Sequence, residues 1–437
     1  MNPTIQKLIR KETYAPALQR FAQGLARPAA FLKKRGRLLC FAGLHATWVL
    51  LLCYLLGNTP YSLGDEESFV QYLYIAKEQL SPTDKQLPPD VLAINIAYDK
   101  QLVDCTDEYG FPQGQTAITD RTKLLRFLQL AEQNGRYRYI LLDVFFGADY
   151  ATPADSALFA TIARMERIVI PRHRGEALAD SLLLSKAAYS DYSTSINEGN
   201  FVRYEYLPGG QSSIAWRMYE ECASPAWSGN GFFATCNGKL CNRCLFLSFP
   251  VPFDGEAYDP EGNKNYYNLG CDLLDIADTE DLDALLDGKY IIIGNFVDDD
   301  LHDTYMGSMP GAFINLNAFL ILMQGGHYVP WFSMLVLWTV YFAISLFLLK
   351  QRSLFDYLPC LRNVRSRVWQ FVLSWFGLST LLCGVCALFY FIGNEVHDVL
   401  AISTYFSLFN AGVQFFRMPK RKETVPSPDE NLKNNPI

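Results

Sequence analysis

Asp120–Phe146 reads DRTKLLRFLQLAEQNGRYRYILLDVFF, and its two halves follow different periods. Asp120 can cap a helix in which Leu124, Leu125, Leu128 and Ala131 recur at helical spacing, and Gly135 supplies the stop. Tyr139–Phe146 then runs as an apolar strand, with Asp143 near its carboxyl end. The same alternation extends outward on both sides. Val91–Ala97 (VLAINIA) and Lys289–Gly294 (KYIIIG) read as buried strands, and Ile168–Pro171, Asn200–Leu207 and Cys244–Phe249 as extended. Asp155–Met165, Ala177–Tyr189, Ser213–Glu221 and Ile314–Met323 read as helices. Apolar strands alternating with helices predict an α/β domain with a mostly parallel sheet covered by helices.

Four apolar runs flank this domain: Leu38–Leu56 before it, and Trp331–Leu349, Trp369–Ile392 and Val399–Phe416 after it. Each approaches the roughly 20 residues that cross a bilayer. A buried core helix is the competing reading for the shortest. A cleaved signal peptide is the competing reading for the first, but it starts far from the N-terminus and ends without an A-x-A-like site. The expectation is therefore four transmembrane α-helices, one N-terminal and three C-terminal.

Charge orients them. Residues 1–37 carry nine Lys/Arg against Glu12 alone, the 350–367 loop is basic, and Arg417, Lys420, Arg421 and Lys422 follow the last run. The short 393–398 turn holds Glu395 and Asp398 and no Lys or Arg. The positive-inside rule places 1–37 and 417–437 in the cytoplasm and residues 57–328 outside. The chain of 437 residues has 38 Lys+Arg and 45 Asp+Glu, a net charge of −7. Residues 58–328 hold 19 of the cations and 38 of the anions, net −19, which leaves +12 for the remainder. This acidic balance disfavours a nucleic-acid partner, and 14% aromatic residues rule out disorder for most of the chain. The polar tail after Lys422 reads as unstructured.

Asp99, Asp143, Asp155 and Asp303, with Asp298–Asp300, fall near strand ends or helix starts, where open α/β sheets bind ligands, and Arg121 is a counter-charge for them. Caps and turns also use Asp, and a Ca²⁺ loop of the D-x-[DN]-x-[DN]-G form is absent. His302 beside Asp303, with His173 far off in sequence, makes a poor histidine zinc site. No metal or other cofactor is expected. G-x-S-x-G and H-E-x-x-H are also missing, so no enzyme is expected. Gly294, Gly307 and Gly311 read as turn glycines.

Cys40, Cys53, Cys360, Cys383 and Cys386 fall in or inside the membrane. Cys105, Cys222, Cys236, Cys241, Cys244 and Cys271 fall outside, an even number in an oxidising compartment, and are disulfide candidates. A zinc knuckle or redox pair is the rival reading of Cys241-Asn-Arg-Cys244. Cys222–Cys244, with Pro225, Gly229, Gly231 and Gly238, reads as a stapled loop.

Three stretches resemble the bacterial CHASE type 2 extracellular sensor domain. They are Ile94–Leu102 (INIAYDKQL) with Arg121 downstream, Tyr139–Leu158 (YILLDVFFGADYATPADSAL), and Gly288–Phe319 (GKYIIIGNFVDDDLHDTYMGSMPGAFINLNAF), the last with Pro310-Gly311, Asn317 and Ala318. The resemblance covers about 60–328, and the family's pattern of one span before the domain and three after it extends it. A Trp-Pro-Trp-Pro-Arg-like segment is replaced by Phe111-Pro112-Gln113-Gly114, and Asn315 stands where the family often has His. No kinase, cyclase or phosphatase follows the last span. The resemblance implies a multi-pass receptor of the bacterial inner membrane with a periplasmic sensor domain. It would detect an unidentified ligand and signal through a separate cytoplasmic or membrane partner, and a homodimer is left open. The loop through Gly294, Asp298, Gly307, Pro310 and Gly311, followed by Ile314–Met323, is the expected coupling route into Trp331–Leu349. The alternative is a membrane-anchored periplasmic scaffold with no small-molecule ligand.

Overall fold

The computed structural model describes residues 15–60, 64–82, 86–106, 109, 111–191, 201–230, 232–251, 253, 265–274, 280–350 and 367–416. Residues 1–14, most of the basic 350–367 loop with Cys360, and the 417–437 tail lie outside the described residues. The chain divides into two compact units: Met1–Leu52, Met334–Gly384 and Val399–Ile437 form one, and Cys53–Ser333 with Val385–Asp398 the other.

The second unit is α/β. Its strands are β1 (Val91–Asn95), β2 (Lys100–Thr106), β3 (Pro112–Thr119), β4 (Tyr139–Leu142), β5 (Ile168–Arg172), β6 (Ala187–Tyr189), β7 (Arg203–Glu205), β8 (Trp227–Gly229), β9 (Ala234–Cys236), β10 (Lys239–Cys241), β11 (Cys244–Phe246), β12 (Tyr266–Asn268), β13 (Tyr290–Gly294), β14 (Leu301–Thr304) and β15 (Gly307–Pro310). Six of them form one sheet in the order β12-β1-β13-β4-β5-β6. Every neighbouring pair in it is parallel. The mostly parallel sheet read from the sequence is therefore present. β1, β4 and β13 are buried along their whole lengths, which is why they show no polar alternation.

Helices cover both faces. Helix α1 is Ala15–Gly57 and α2 is Gly64–Leu80. On one face of the sheet, Leu92, Ile94, Ile140, Leu142, Ile291 and Ile293 pack with α3 (Arg121–Asn134) and α4 (Asp155–Arg164). On the other, Val91, Ala93, Tyr139, Leu141 and Ile292 pack with α5 (Ile214–Ala223), which α6 (Glu280–Leu286) follows in the chain, and with α7 (Gly311–Met323). α3 begins and ends as its sequence dictates. The Asp120 side chain accepts from Thr122 N and Lys123 N, and Gly135 takes a left-handed φ of 64° that ordinary residues adopt only at a cost. α7 is buried nearly all round, so its two amides need internal partners. Asn317 finds them by accepting from Val251 N at 2.7 Å and donating to Val251 O and Phe313 O at 2.8 Å.

Three expectations are corrected. Ala177–Tyr189 is not one helix: Asp180 caps a short 3-10 turn at Ser181–Ser185, and Ala187–Tyr189 leaves it to extend the sheet beside β5. Edge pairing there outweighs the helical spacing. Cys222–Cys244 is no loop held by staples, because β8, β9 and β10 form an antiparallel sheet that buries Ala234, Cys236 and Cys241. Finally, Cys105, Cys222, Cys236, Cys241, Cys244 and Cys271 form no disulfide. Register explains the pair on the small sheet. Cys236 stands opposite Lys239 and Cys241 opposite Ala234, so the two sulfurs are diagonal neighbours on one face. Diagonal Cα atoms lie roughly 7–8 Å apart, beyond the usual reach of a bridge. Cys222 on α5 and Cys271 beside β12 are exposed on separate elements.

The first unit is helical. Gly36–Gly57 of α1, α8 (Trp331–Leu349) and Phe371–Gly393 of α9 (Arg367–Gly393) are long and apolar enough to cross a membrane. The fourth run forms α10 (Val399–Phe416), of which Val399–Val413 is a shorter apolar helix. Polar side chains join these helices: His45 bonds Ser345 at 2.8 Å and Tyr405 at 3.1 Å, and Ser379 bonds Ser403 at 2.9 Å. Interhelical hydrogen bonds of this kind hold helices together where apolar surface gives no driving force.

Candidate functional site

β1, β13 and β4 lie side by side and run the same way, so their carboxyl ends share one edge. The crevice outside such an edge is where open α/β sheets hold ligands. β1 ends on Asn95, which serves the fold: it accepts from Ala97 N and Phe296 N, and donates to Asn268. β4 ends immediately before Asp143. β13 passes through Gly294 into the turn that carries Asp300. A side chain at Gly294 would press on Phe296 at 3.0 Å and Ala312 at 3.3 Å, so glycine lets the strand end pack against α7.

Asp143 and Asp300 come close at this edge, near enough for the Asp300 carboxyl to act on Asp143. Burial raises the Asp143 pKa well above the usual carboxylate range, and the nearby Asp300 carboxyl raises it further. Asp300 has a positive φ of 55°, a backbone Asp tolerates, and its carbonyl accepts from Gly311 N at 2.9 Å. Its other side faces His302, whose Nε2 is 2.8 Å from Oδ1. The His302 ring meets Phe201 edge-on with centroids 5.7 Å apart. Tyr204 donates its hydroxyl to Asn315 Oδ1 at 2.8 Å. Burial pushes Tyr204 up to about 12 and the nearby Asp143 charge adds to this, so the hydroxyl keeps its proton at any physiological pH. Asn315 is wholly buried, and its Nδ2 has no acceptor. Most buried donors are satisfied, so an orphan here calls for an explanation.

The other expected residues are brought together in separate pairs. Asp99 is buried, bonds Lys123 Nζ at 2.6 Å and accepts from Gly270 N at 3.0 Å. Arg121 bonds Asp155 at 2.6 Å and Tyr150 O at 3.2 Å. Burial opposes ionisation of Asp155, but hydrogen bonds from Arg121 and Thr152 outweigh it and hold the pKa low. These pairs brace α3 and α4. Asp298 and Asp299 accept from the Asn295 amide at 2.7 and 2.8 Å. Asp303 is exposed, and its carbonyl accepts from Phe201 N. Gly307 turns the β14–β15 hairpin at φ 117°, and Pro310 caps α7. Among the described residues no group of three or more His, Cys, Asp or Glu could hold a metal ion.

A second buried polar cluster lies elsewhere in the same unit. Arg203 on β7 bonds Glu66 at 2.6 Å, Asp398 at 3.2 Å and Leu56 O at 3.2 Å. The three side chains are 5–9% exposed. Burial works against the Arg203 charge, but Glu66 and Asp398 outweigh it and keep the guanidinium firmly protonated. The cluster ties the end of α1, the start of α2 and the 393–398 turn to β7. Sequence reading gave Tyr204, Arg203 and Glu66 no role: Arg203 and Tyr204 fall in a short extended segment, and Glu66 sits in the first turn of α2 with partners far away in sequence. Asn315, in the otherwise apolar GAFINLNAF, was the one visible signal.

No family model, curated protein or solved structure matches the chain.

Proposed function

We propose that this protein is the ligand-sensing subunit of a bacterial membrane receptor, with a CHASE-type domain outside the inner membrane. Four helices span the membrane in this reading, both termini are cytoplasmic, and a separate cytoplasmic or membrane protein reads the signal. The observation that carries the proposal is the wholly buried, unsatisfied Asn315 amide beside Tyr204, with Asp143 and Asp300 close together at the carboxyl edge of a parallel sheet. A small polar ligand fits such a set. Its oxygen would accept from the Asn315 amide, and its hydroxyl or ammonium would donate to the carboxyls. Asp300 precedes the β14–β15 hairpin and α7, so a ligand that changes the carboxyl pair acts directly on the expected coupling loop. It biases that loop only to the extent that it binds the loop's two states differently.

Thermal shift of the detergent-purified full-length protein tests this against a panel of amino acids, amines, sugars and organic acids. At least one class should raise the melting temperature of the wild type and fail to raise that of Asp143→Asn. Equal stabilisation of both proteins, or no stabilisation by any class, would count against the site.

A further inference from the structure

We propose that the turn between β8 and β9 inserts its two phenylalanines into the interfacial layer of the membrane, so that this apolar surface is covered by a phospholipid leaflet. The inference rests on the reading of Gly36–Gly57 as a span. Phe232 and Phe233 are 67% and 45% exposed, an apolar pair at the tip of a hairpin whose β9 strand is buried at Ala234 and Cys236. Hydrogen bonds link the described residues on either side of the tip. Asn230 Oδ1 accepts from Phe232 N at 3.0 Å and Phe233 N at 2.8 Å, and Arg243 donates to Asn230 O at 2.9 Å.

The same bonds fix where the tip lies. Phe233 stacks on Tyr54 with centroids 5.7 Å apart, and the Tyr54 hydroxyl donates to Cys241 O at 3.0 Å. Asn58 accepts from Arg243 N, and its carbonyl accepts the Cys244 thiol at 3.3 Å. Tyr54 belongs to the last turn of α1. Arg37 is the last cation before the apolar run. Counting from it, a hydrocarbon core of about 30 Å takes up about 20 residues at 1.5 Å each and ends close to Gly57. Tyr54 and the ring stacked on it thus fall at the outer edge of the core, where aromatic side chains concentrate. The other edge of the small sheet leads to a second span start. Val329 N donates to Leu240 O at 3.0 Å, and Trp331 and Phe332 follow with 75% and 61% exposure. Lys239, over the Tyr328 ring at 5.3 Å, supplies a cation on the same sheet for lipid phosphate. The three-stranded sheet is therefore bonded to the ends of two apolar helices and turns exposed aromatics outward at that level, as an interfacial anchor does.

The test is Phe232→p-benzoyl-phenylalanine in the full-length protein, irradiated in native membranes, with mass analysis of the adducts after carbonate extraction. The expected result is protein in the carbonate-resistant pellet carrying a phospholipid mass at position 232. Pelleted protein with no adduct, or with a crosslink to another protein, overturns the hairpin proposal and leaves the span reading standing. Protein lost from the pellet overturns the span reading and the proposal with it.

Discussion

Arg203→Met removes the only arginine of a buried cluster and leaves two carboxylates, Glu66 and Asp398, beside an apolar side chain. Breaking a buried pair from one side costs about 3–5 kcal/mol, because the remaining charge can neither find water nor a counter-ion. A domain of this size loses roughly 2–3 °C of melting temperature per kcal/mol. The expected fall is therefore about 6–15 °C. Tryptophan fluorescence melts of the full-length protein in nanodiscs read it directly. Lys100→Met is the comparison: it breaks an exposed pair with Asp299, for which about 0–1 kcal/mol is expected. Glu66→Gln/Arg203→Met/Asp398→Asn removes all three charges and should recover a large part of the loss. Arg203→Met melting within about 2 °C of the wild type, a shift of less than roughly 1 kcal/mol, or the triple variant melting lower still, would refute the reasoning.

Other outcomes follow from the same geometry. The folded state holds Asp143 protonated above the ordinary carboxylate value of 3.8, so it binds a proton that the unfolded chain has released. Stability should then decline as pH rises from about 4 towards the folded-state pKa, and Asp143→Asn should flatten that slope in melts across this range. Gly270→Ala sets a methyl against the Asp99 carboxylate and 2.8 Å from Lys123 Nζ. It should cost about 1–3 kcal/mol in urea unfolding, and a neutral result would mean the Asp99–Lys123 pair is not fixed as described. Burial pushes the Cys241 and Cys244 thiols up to about 12. Maleimide should label Cys222 and Cys271 in the native protein and reach Cys236, Cys241 and Cys244 only after denaturation; disulfide-linked peptides among them would contradict this. In-cell crosslinking should capture a cytoplasmic-side regulator, whereas envelope proteins alone would favour the scaffold.

The parts legible in sequence were those where one physical period dominates. Apolar runs such as Tyr139–Leu142 and Tyr290–Gly294 leave little choice but a buried strand, and Asp120 and Gly135 mark both ends of α3. Asp143 was placed at its strand end for the same reason. Long-range partners were not legible. Nothing near Asp143 in sequence points to Asp300, 157 residues on, and nothing near Arg203 points to Glu66 or Asp398. The cysteines misled because an even number argues only from compartment. Register decided the pair on the small sheet by setting Cys236 and Cys241 diagonally. Ala187–Tyr189 was lost to a strand because its pairing with β5 is tertiary, invisible to local spacing.

The most direct test of the sensing claim is native mass spectrometry of full-length protein released gently from its own membranes. The account predicts one small-molecule mass retained by the wild type and missing from both Asp143→Asn and Asn315→Leu. The same mass retained by all three, or by none, would contradict a ligand site at the carboxyl edge of this sheet.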